Sequence, residues 1–369
     1  MQHEQPHIMI SGGGTGGHVF PAIAIADAIR EAVPGAQVQF VGAKGKLEME
    51  KVPRAGYHID GLWISGINRQ RMVRNLAFPF KLVSSLVKSW QLARRFRPDV
   101  AVGVGGYASG PLLAVTTRMG IPALLQEQNS FPGITNKLLA KRADKICVAY
   151  DKMEQYFPAS KLVFTGNPVR TAFLTKPIDR REAFEHFGLD PEKKTIFLFG
   201  GSLGAQALNE AIAAQIDQLK ARTDVQLLWQ VGKIYFDRYE AMEAVHAPNV
   251  HRLAFVDRMD MAYAIADLVV SRAGALTISE LALLGKPALL VPSPNVAEDH
   301  QTKNARALVE KGAAVMLRDT EARERLVNDA LDLLEETDKL AGMARAIKTL
   351  ARPDAAGQIA REVLALIKN

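Results

Sequence analysis

The sequence of 369 residues is 48% hydrophobic and 23% charged, which is typical of a globular protein long enough for two domains. Its formal net charge of +7 favours an anionic partner, such as a phosphate ligand, a nucleic acid or an anionic membrane surface. The single cysteine excludes an internal disulfide. Because the sequence shows no secretory leader and no apolar run of roughly 18 residues, we expect a cytosolic or peripheral protein.

Short runs rich in β-branched residues alternate with amphipathic helical patterns along the whole chain. The predicted strands read, in order, HIMIS, QVQFVG, DVAVGVG, PALLQE and KICVAY, and then TIFLFGG, VQLLWQVG, LVVSRAG and PALLVPS. Such alternation predicts parallel strands joined by helical crossovers, which is an α/β fold. The segment around Gly166, Pro168 and Pro177 interrupts the series, so we predict a hinge between two halves there.

Each half opens with a strand that runs into glycines and then into a helix. Gly12, Gly14 and Gly17 have the G-x-G-x-x-G spacing in the first half, and the second half reads GGSLG at 200–204. Such a turn lets the backbone approach a phosphate, and the helix that follows offers unpaired N–H groups. We therefore predict that both loops bind phosphate groups. A tight turn that needs positive φ would require the same glycines and stays the alternative.

Three common phosphate-binding patterns fit the first loop poorly. A dinucleotide site needs an acidic residue at the end of the second strand, where this chain has Lys44, which leaves only a phosphorylated dinucleotide open. A Walker A loop needs Lys and Ser or Thr where this chain has His18 and Val19. A metal–diphosphate clamp of the D-x-D kind has no evident ligands in the sequence.

The second loop also resembles the nucleophile elbow of a serine hydrolase. It reads G-x-S-x-G at 200–204 around Ser202, and Asp267 or Asp299 followed by His300 would complete the order Ser, Asp, His. A hydrolase of this type has one domain and one sheet. The glycine-rich first half would then have no explanation, so this alternative is weak.

Several strings together resemble the MurG family, the UDP-N-acetylglucosamine transferases that complete the lipid-linked disaccharide of bacterial peptidoglycan. They are GGGTGGHVFPAIAIA, GVGGYASGP, QEQNSFPGITNKLLA, TGNPVR, GGSLGAQALN, SRAGALTISELALLGKPALLVPSP and EDHQTKNA, in the family's order from about residue 8 to about residue 315. The resemblance implies the GT-B fold, in which two Rossmann-like domains with parallel sheets face each other across a cleft.

The resemblance also implies a division of labour between the domains. Residues 1–166 would form the N-terminal domain on the lipid-acceptor and membrane side, residues 167–345 would bind the UDP-sugar, and a helix in 346–369 would pack back on the N-terminal domain. The implied reaction is inverting transfer from UDP-N-acetylglucosamine to the muramyl 4-hydroxyl of an undecaprenyl-diphosphate-linked peptide (lipid I to lipid II). It would need no metal, cofactor or nucleic acid. Transfer of another UDP-sugar and UDP-sugar 2-epimerisation remain alternatives for this fold.

In the first half the resemblance implies a catalytic base. His18 would take the proton of the attacking hydroxyl, and helix capping or orientation of the acceptor is the alternative role. The loop residues implied to hold the acceptor diphosphate, or to close over the donor phosphates, are Thr15, Gly16 and Gly17. The family often reads H-E-Q-N where this chain reads QEQN at 126–129, so a role for a histidine there is lost. Asn129 remains as an implied substrate-binding residue.

In the second half the resemblance implies the UDP-sugar site. Glu280 would accept hydrogen bonds from the ribose hydroxyls and so select a ribonucleotide, with a capping-box acid as the alternative. Phe255 would read uracil through its main chain, and Gln301 would read the sugar. The other residues implied to contact the donor are Arg170, Ser202, Ala275, Leu276, Thr277, Ile278 and Ser279.

Residues 66–97 interleave apolar and basic side chains around Pro79. One interpretation is a helix that packs its apolar face on the first sheet. We expect in addition that LAFPF at 76–80 is an exposed loop or helix start, because proline breaks the pattern. Exposed aromatic side chains among cations suit an anionic bilayer, so we predict peripheral binding to the cytoplasmic face of the inner membrane.

Overall fold

The computed structural model describes residues 5–66, 77–169, 178–201, 204–296 and 299–367. The chain divides into two compact units, one formed by residues 1–170 with 352–369 and the other by residues 171–351. The domain boundaries expected from the sequence, after residues 166 and 345, stay predictions. Around the second of these positions the chain is helical as far as Thr349, and Ile347 is buried in the core of the second unit.

The strands of the described residues form one parallel sheet in each unit. The first sheet has the order β3-β2-β1-β4-β5-β6-β7 and the second the order β10-β9-β8-β11-β12-β13. Their bounds are β1 His7–Gly12, β2 Gln37–Ala43, β3 His58–Leu62, β4 Val100–Gly105, β5 Ala123–Glu127, β6 Lys145–Val148, β7 Leu162–Phe164, β8 Lys194–Phe199, β9 Val225–Gln230, β10 Val250–Leu253, β11 Leu268–Ser271, β12 Ala288–Leu290 and β13 Val315–Met316.

Helices connect the strands and cover both faces of each sheet, as a parallel sheet requires. Their bounds are α1 Gly16–Ala32, α2 Glu48–Arg54, α3 Phe78–Phe96, α4 Ser109–Thr116, α5 Ile134–Leu139, α6 Arg180–Phe187, α7 Gln206–Ala214, α8 Ile216–Lys220, α9 Phe236–Glu240, α10 Met259–Ile265, α11 Ala275–Leu284, α12 His300–Val309, α13 Ala322–Glu335, α14 Thr337–Thr349 and α15 Ala355–Ala365. Within the described residues, none of them combines the length and apolar composition that crossing a membrane needs.

In the first unit two apolar cores lie on opposite faces of the sheet. On one face α1 packs against α15, and Ile25 and Ile29 share a core with Ile359 and Val363. On the other face α3, α4 and α5 bury residues such as Leu92 against the sheet. The final helix of the chain therefore belongs to the first unit.

In the second unit the same arrangement recurs around a smaller sheet. One core joins α7, α8 and α13 to the sheet, and the other joins α6, α10, α11, α12 and α14 to it. In both sheets the strand order reverses beside the first strand, between β1 and β4 and between β8 and β11. The predicted α/β architecture of two parallel sheets is confirmed. A sheet that reverses its order leaves a crevice at the carboxyl ends of the two central strands, which is where such folds bind ligands.

Candidate functional site

The first glycine loop joins β1 to α1 at the reversal point of the first sheet. Thr15 precedes the helix with extended backbone, φ −141°, and its Oγ1 lies 3.2 Å from Nδ1 of His18. The imidazole of His18 lies against Gly105, because a Cβ at that glycine would come within 2.9 Å of Nε2. The structure therefore brings together Thr15 and His18, and the helix begins with Gly16 and Gly17 between them.

A buried carboxylate holds the first half of this loop. Oε2 of Glu48 accepts the Gly14 N–H at 2.8 Å, and Oε1 accepts the Ala43 N–H at 2.9 Å. A Cβ at Gly13 would lie 2.1 Å from Oε1, so the loop needs a glycine there for close packing on Glu48. The amide of Gly14, one glycine of the predicted phosphate-binding pattern, thus binds a carboxylate of the protein. Nothing in the sequence pattern singles out Glu48, because its partner amide is 34 residues away.

A second pair of glycines, at the end of β4, packs closely against the first loop. Gly105 and Gly106 have φ of 99° and 89°, in the left-handed region that favours glycine. A Cβ at Gly106 would lie 2.3 Å from the carbonyl oxygen of Gly13, and the Gly13 N–H donates to the Gly105 carbonyl at 3.3 Å. Tyr107 follows with its side chain 47% exposed. The string GVGGYASGP therefore positions the loop that carries His18.

Asn129 lies beyond the carboxyl end of β5 and contacts a second buried carboxylate. Oε1 of Glu127 accepts both the backbone N–H of Asn129 at 3.1 Å and its Nδ2 at 3.2 Å. Oε2 accepts the N–H of Gly133 at 3.0 Å and Nδ2 of Asn136 at 2.9 Å. Burial raises the pKa of Glu127, and these hydrogen bonds oppose the rise. Gln126, which replaces the family's histidine, is fully buried. The carboxylate thus fixes the turn that presents Asn129.

The second unit contains a cavity of about 590 Å³ at the point where its sheet reverses order. The amino ends of α7 and α11 both reach it, because these helices follow the adjacent strands β8 and β11. Its lining includes Gly200, Gly201, Gly204, Gln206, Glu210, Tyr235, Arg272, Gly274, Thr277, Ser293, Asn295, Gln301 and Asp319. The second glycine loop therefore meets two of the predicted donor-binding residues, Thr277 and Gln301. Oε1 of Gln301 accepts the Ser293 N–H at 2.8 Å, which fixes its orientation.

Arg272 is a cavity residue that the sequence did not single out. Its Nη1 donates to the carbonyls of Val291 at 3.0 Å and Pro292 at 3.3 Å, and it forms an ion pair with Asp319. Both charged side chains are largely buried. The string SRAG could have predicted Arg272, because an arginine directly after a buried strand lies at the ligand-binding edge of a parallel sheet.

Among the described residues, the predicted donor residues Ala275, Leu276, Ile278, Ser279 and Glu280 of α11 are not part of the cavity lining. Oε2 of Glu280 accepts the Tyr263 hydroxyl at 2.9 Å, and Oγ of Ser279 donates to the Ala275 carbonyl at 3.0 Å. Of the other members of α11, Ile278 is buried and Leu276 is half-buried. Arg170 and Ser202 fall outside the described residues, so their predicted roles stay predictions.

Phe255 connects to the glycine loop through a buried glutamine. Nε2 of Gln230 donates to the Gly201 carbonyl at 2.9 Å, and its Oε1 accepts the Val256 N–H at 2.9 Å. The ammonium of Lys233 lies 5.3 Å from the centre of the Phe255 ring. The main chain predicted to read uracil is thereby held at a fixed position relative to the glycine loop.

Comparison with known proteins identifies the family. The chain matches the glycosyltransferase family 28 N-terminal domain over residues 8–148 and the C-terminal domain over residues 195–359. A relative from Bacteroides fragilis, named UDP-N-acetylglucosamine--N-acetylmuramyl-(pentapeptide) pyrophosphoryl-undecaprenol N-acetylglucosamine transferase, is 53% identical over 370 residues, with 100% of this chain and 97% of the relative covered. The crystal structure of Acinetobacter baumannii MurG is 31% identical with a TM-score of 0.78, and the match covers 98% of this chain and 99% of that one.

A solved UDP-N-acetylglucosamine 2-epimerase has a TM-score of 0.64, with 98% of this chain and 96% of that one covered, but it is only 15% identical. That likeness shows the fold alone. The two family 28 matches account for both halves of the chain, and they leave the serine-hydrolase alternative without support. They also confirm the GT-B fold class. The chain belongs to the MurG family, within glycosyltransferase family 28.

Proposed function

We propose that this protein transfers N-acetylglucosamine, with inversion, from UDP-N-acetylglucosamine to the 4-hydroxyl of the muramyl residue of an undecaprenyl-diphosphate-linked peptide. The observation that carries the proposal is the 53% identity, over the whole chain, to a relative named for this activity. The product would be the lipid-linked disaccharide used in peptidoglycan synthesis. The donor would bind in the second unit and the acceptor on the first.

The cavity of the second unit suits the departure of UDP. The diphosphate of the leaving UDP gains negative charge in the transition state. Preorganised N–H donors stabilise the charge that develops on it. The amino ends of α7 and α11 both point such donors at the cavity, and their dipoles add a positive potential. Arg272 also lines the cavity, where its ion pair with Asp319 fixes the guanidinium, and the proposal assigns no metal ion to this step.

The first unit supplies the base in this proposal. The attacking hydroxyl must lose its proton as the new bond forms, and histidine is the side chain that most often serves as the base for such a step. Oγ1 of Thr15 contacts Nδ1 of His18, and this contact restrains the ring at the start of α1. The hydrogen bond from the Gly14 N–H to Glu48 holds the turn in place.

Membrane attachment at the cytoplasmic face of the inner membrane is part of the same proposal, and α3 supports it. Phe80 is 73% exposed, and Val83, Val87 and Trp90 are exposed on the same helix; we call these four residues the apolar patch. Arg94 lies 4.9 Å from the centre of the Trp90 ring. Apolar side chains beside cations favour binding to an anionic bilayer.

One expectation about this stretch needs adjustment, and the helix-start alternative agrees with the structure. Phe78 begins α3 and is half-buried against the core of the first unit, so it is not part of the exposed surface. Pro79 lies in the first turn, where a proline costs the helix no hydrogen bond. Residues 67–76 lie outside the described residues, so the predicted contribution of Leu76 stays untested.

The proposed reaction predicts a product that depends on both substrates. Incubating the protein with radiolabelled UDP-N-acetylglucosamine and a muramyl-pentapeptide diphospholipid should give labelled lipid, and addition of EDTA should leave the rate unchanged. Omitting the lipid should leave the donor intact. Conversion of the donor without any lipid acceptor would instead indicate a 2-epimerase and would contradict the proposal.

Replacement of the base should lower turnover without weakening donor binding. We expect His18→Ala to reduce kcat by roughly 10² to 10⁴, because positioned general bases contribute about that much. His58→Ala, which removes an exposed histidine of the same unit, is the control and should be unaffected. Near-normal kcat in His18→Ala would exclude His18 from proton transfer.

The ribose-binding role of Glu280 predicts a loss that calorimetry measures directly. Glu280→Gln should weaken UDP binding by about 1 to 3 kcal/mol, because the carboxylate accepts hydrogen bonds that an amide cannot fully replace. The unmutated protein should bind 2′-deoxy-UDP more weakly than UDP by a similar amount. Glu310→Gln, at an exposed position of the same unit, is the matched control. Equal UDP affinity for Glu280→Gln and the unmutated protein would refute the assignment.

The apolar patch predicts binding to anionic vesicles. In flotation assays, binding should rise with the phosphatidylglycerol content of the vesicles and fall with salt. The double variant Phe80→Ser/Val87→Ser should float less, whereas Val309→Ser, at an exposed apolar side chain of the second unit, should not change flotation. If the double variant floats as well as the unmutated protein, α3 does not contact the membrane.

A further inference from the structure

A strip of exposed residues links α3 to the loop of His18. Trp63 follows the end of β3 and is 51% exposed. Three residues later, a Cβ at Gly66 would lie 2.3 Å from the Tyr107 ring, so this segment packs on Tyr107. The Tyr107 ring is in turn 3.9 Å from the Cβ position of Gly14, in the loop that leads to His18. We call Trp63, Ser65, Gly66 and Tyr107 the connecting strip.

The other end of the connecting strip holds a lysine of α3. Nζ of Lys81 donates to Oγ of Ser65 at 3.0 Å and lies 5.8 Å from the centre of the Trp63 ring. Oγ of Ser85 donates to the Trp63 carbonyl at 3.0 Å, which ties the strip to α3 at a second point. Phe80 of the apolar patch is the neighbour of Lys81 in the chain. A cation is therefore held where the apolar patch meets the strip.

Two amides of the first glycine loop are already bound to groups of the protein. The Gly14 N–H is already bound to Glu48, and the Gly13 N–H to the Gly105 carbonyl. The buried negative charge of Glu48 also opposes a second anion at that half of the loop. A cation outside this half of the loop would therefore favour the binding of a diphosphate, in addition to the amides of Gly16 and Gly17 at the start of α1.

We propose that the connecting strip binds the diphosphate of the lipid-linked acceptor, with Lys81 as the cation that contacts it. The order of groups on the protein then matches the order of groups in the acceptor: the apolar patch for the polyprenyl chain, Lys81 for the diphosphate and His18 for the muramyl hydroxyl. The exposed rings of Trp63 and Tyr107 offer apolar faces on which a sugar ring stacks. This inference rests on the proposed function, because it takes the acceptor to be a polyprenyl diphosphate.

The test separates the two effects of a lysine in α3, namely attraction to the bilayer and contact with the acceptor. Steady-state kinetics would be measured without vesicles, using a muramyl-pentapeptide diphosphate with a short, water-soluble prenyl chain. We expect Lys81→Met to raise the acceptor KM about tenfold, with kcat and the donor KM nearly unchanged, since a charge-assisted contact to phosphate is lost. Lys81→Arg should keep most of the affinity, and the effect of Lys81→Met should shrink at high ionic strength.

Lys88→Met is the matched control, because it removes the same charge from α3 two helical turns further along. It should leave the acceptor KM unchanged. Equal effects of Lys81→Met and Lys88→Met, or no effect of either, would overturn the proposal while leaving the transferase activity established. Absence of any transfer by the unmutated protein would instead refute the proposed function.

A second variant covers the case in which Lys81→Met lowers the unfolding temperature. Ser65→Ala removes the hydroxyl that orients the Lys81 amine and leaves the helix unchanged. We expect it to raise the acceptor KM about two- to threefold and to leave the donor KM as it was. An unchanged acceptor KM in Ser65→Ala, together with a folding defect in Lys81→Met, would overturn the proposal.

Discussion

In both units the helices that follow the two central strands pack on opposite faces of the sheet. These helices therefore leave a crevice between the carboxyl ends of the two strands. This follows from the strand orders, which reverse between β1 and β4 and between β8 and β11. The loops at these positions must approach each other closely, so they are built from glycine. Gly106 shows the constraint, because a Cβ there would lie 2.3 Å from the Gly13 carbonyl oxygen. The candidate site of the first unit depends on that close approach.

The charged side chains of the two crevices have different partners. In the first unit the buried carboxylates of Glu48 and Glu127 bind backbone N–H groups and fix the loops that carry His18 and Asn129. In the second unit a cation, Arg272, lines the cavity and is held by carbonyl groups and Asp319. The amino ends of α7 and α11 therefore face a cavity that contains Arg272 together with the acids Glu210 and Asp319, whereas the carboxylates of the first unit bind loop amides.

The strands that the sequence predicted and those that it missed have a common physical basis. All nine predicted strands are present, and each is an apolar, largely buried run with a neighbouring strand on both sides. The four that were missed, β3, β7, β10 and β13, are the edge strands of the two sheets. Edge strands are short here and carry polar residues such as those of HIDGL and VHRL, so their sequences lack a distinctive pattern.

The sequence by itself determined the fold class, the family and the contiguous parts of the site. Thr15 and His18 lie within one helical turn, and Thr277 lies in the first turn of the helix that follows β11, so local spacing was enough to place them. Only the tertiary structure decided which distant groups support these residues. Glu48 reaches Gly14 across 34 positions, and Lys81 reaches Ser65 across 16. Such contacts depend on how strands and helices pack against each other, and residue spacing along the chain carries no record of that packing.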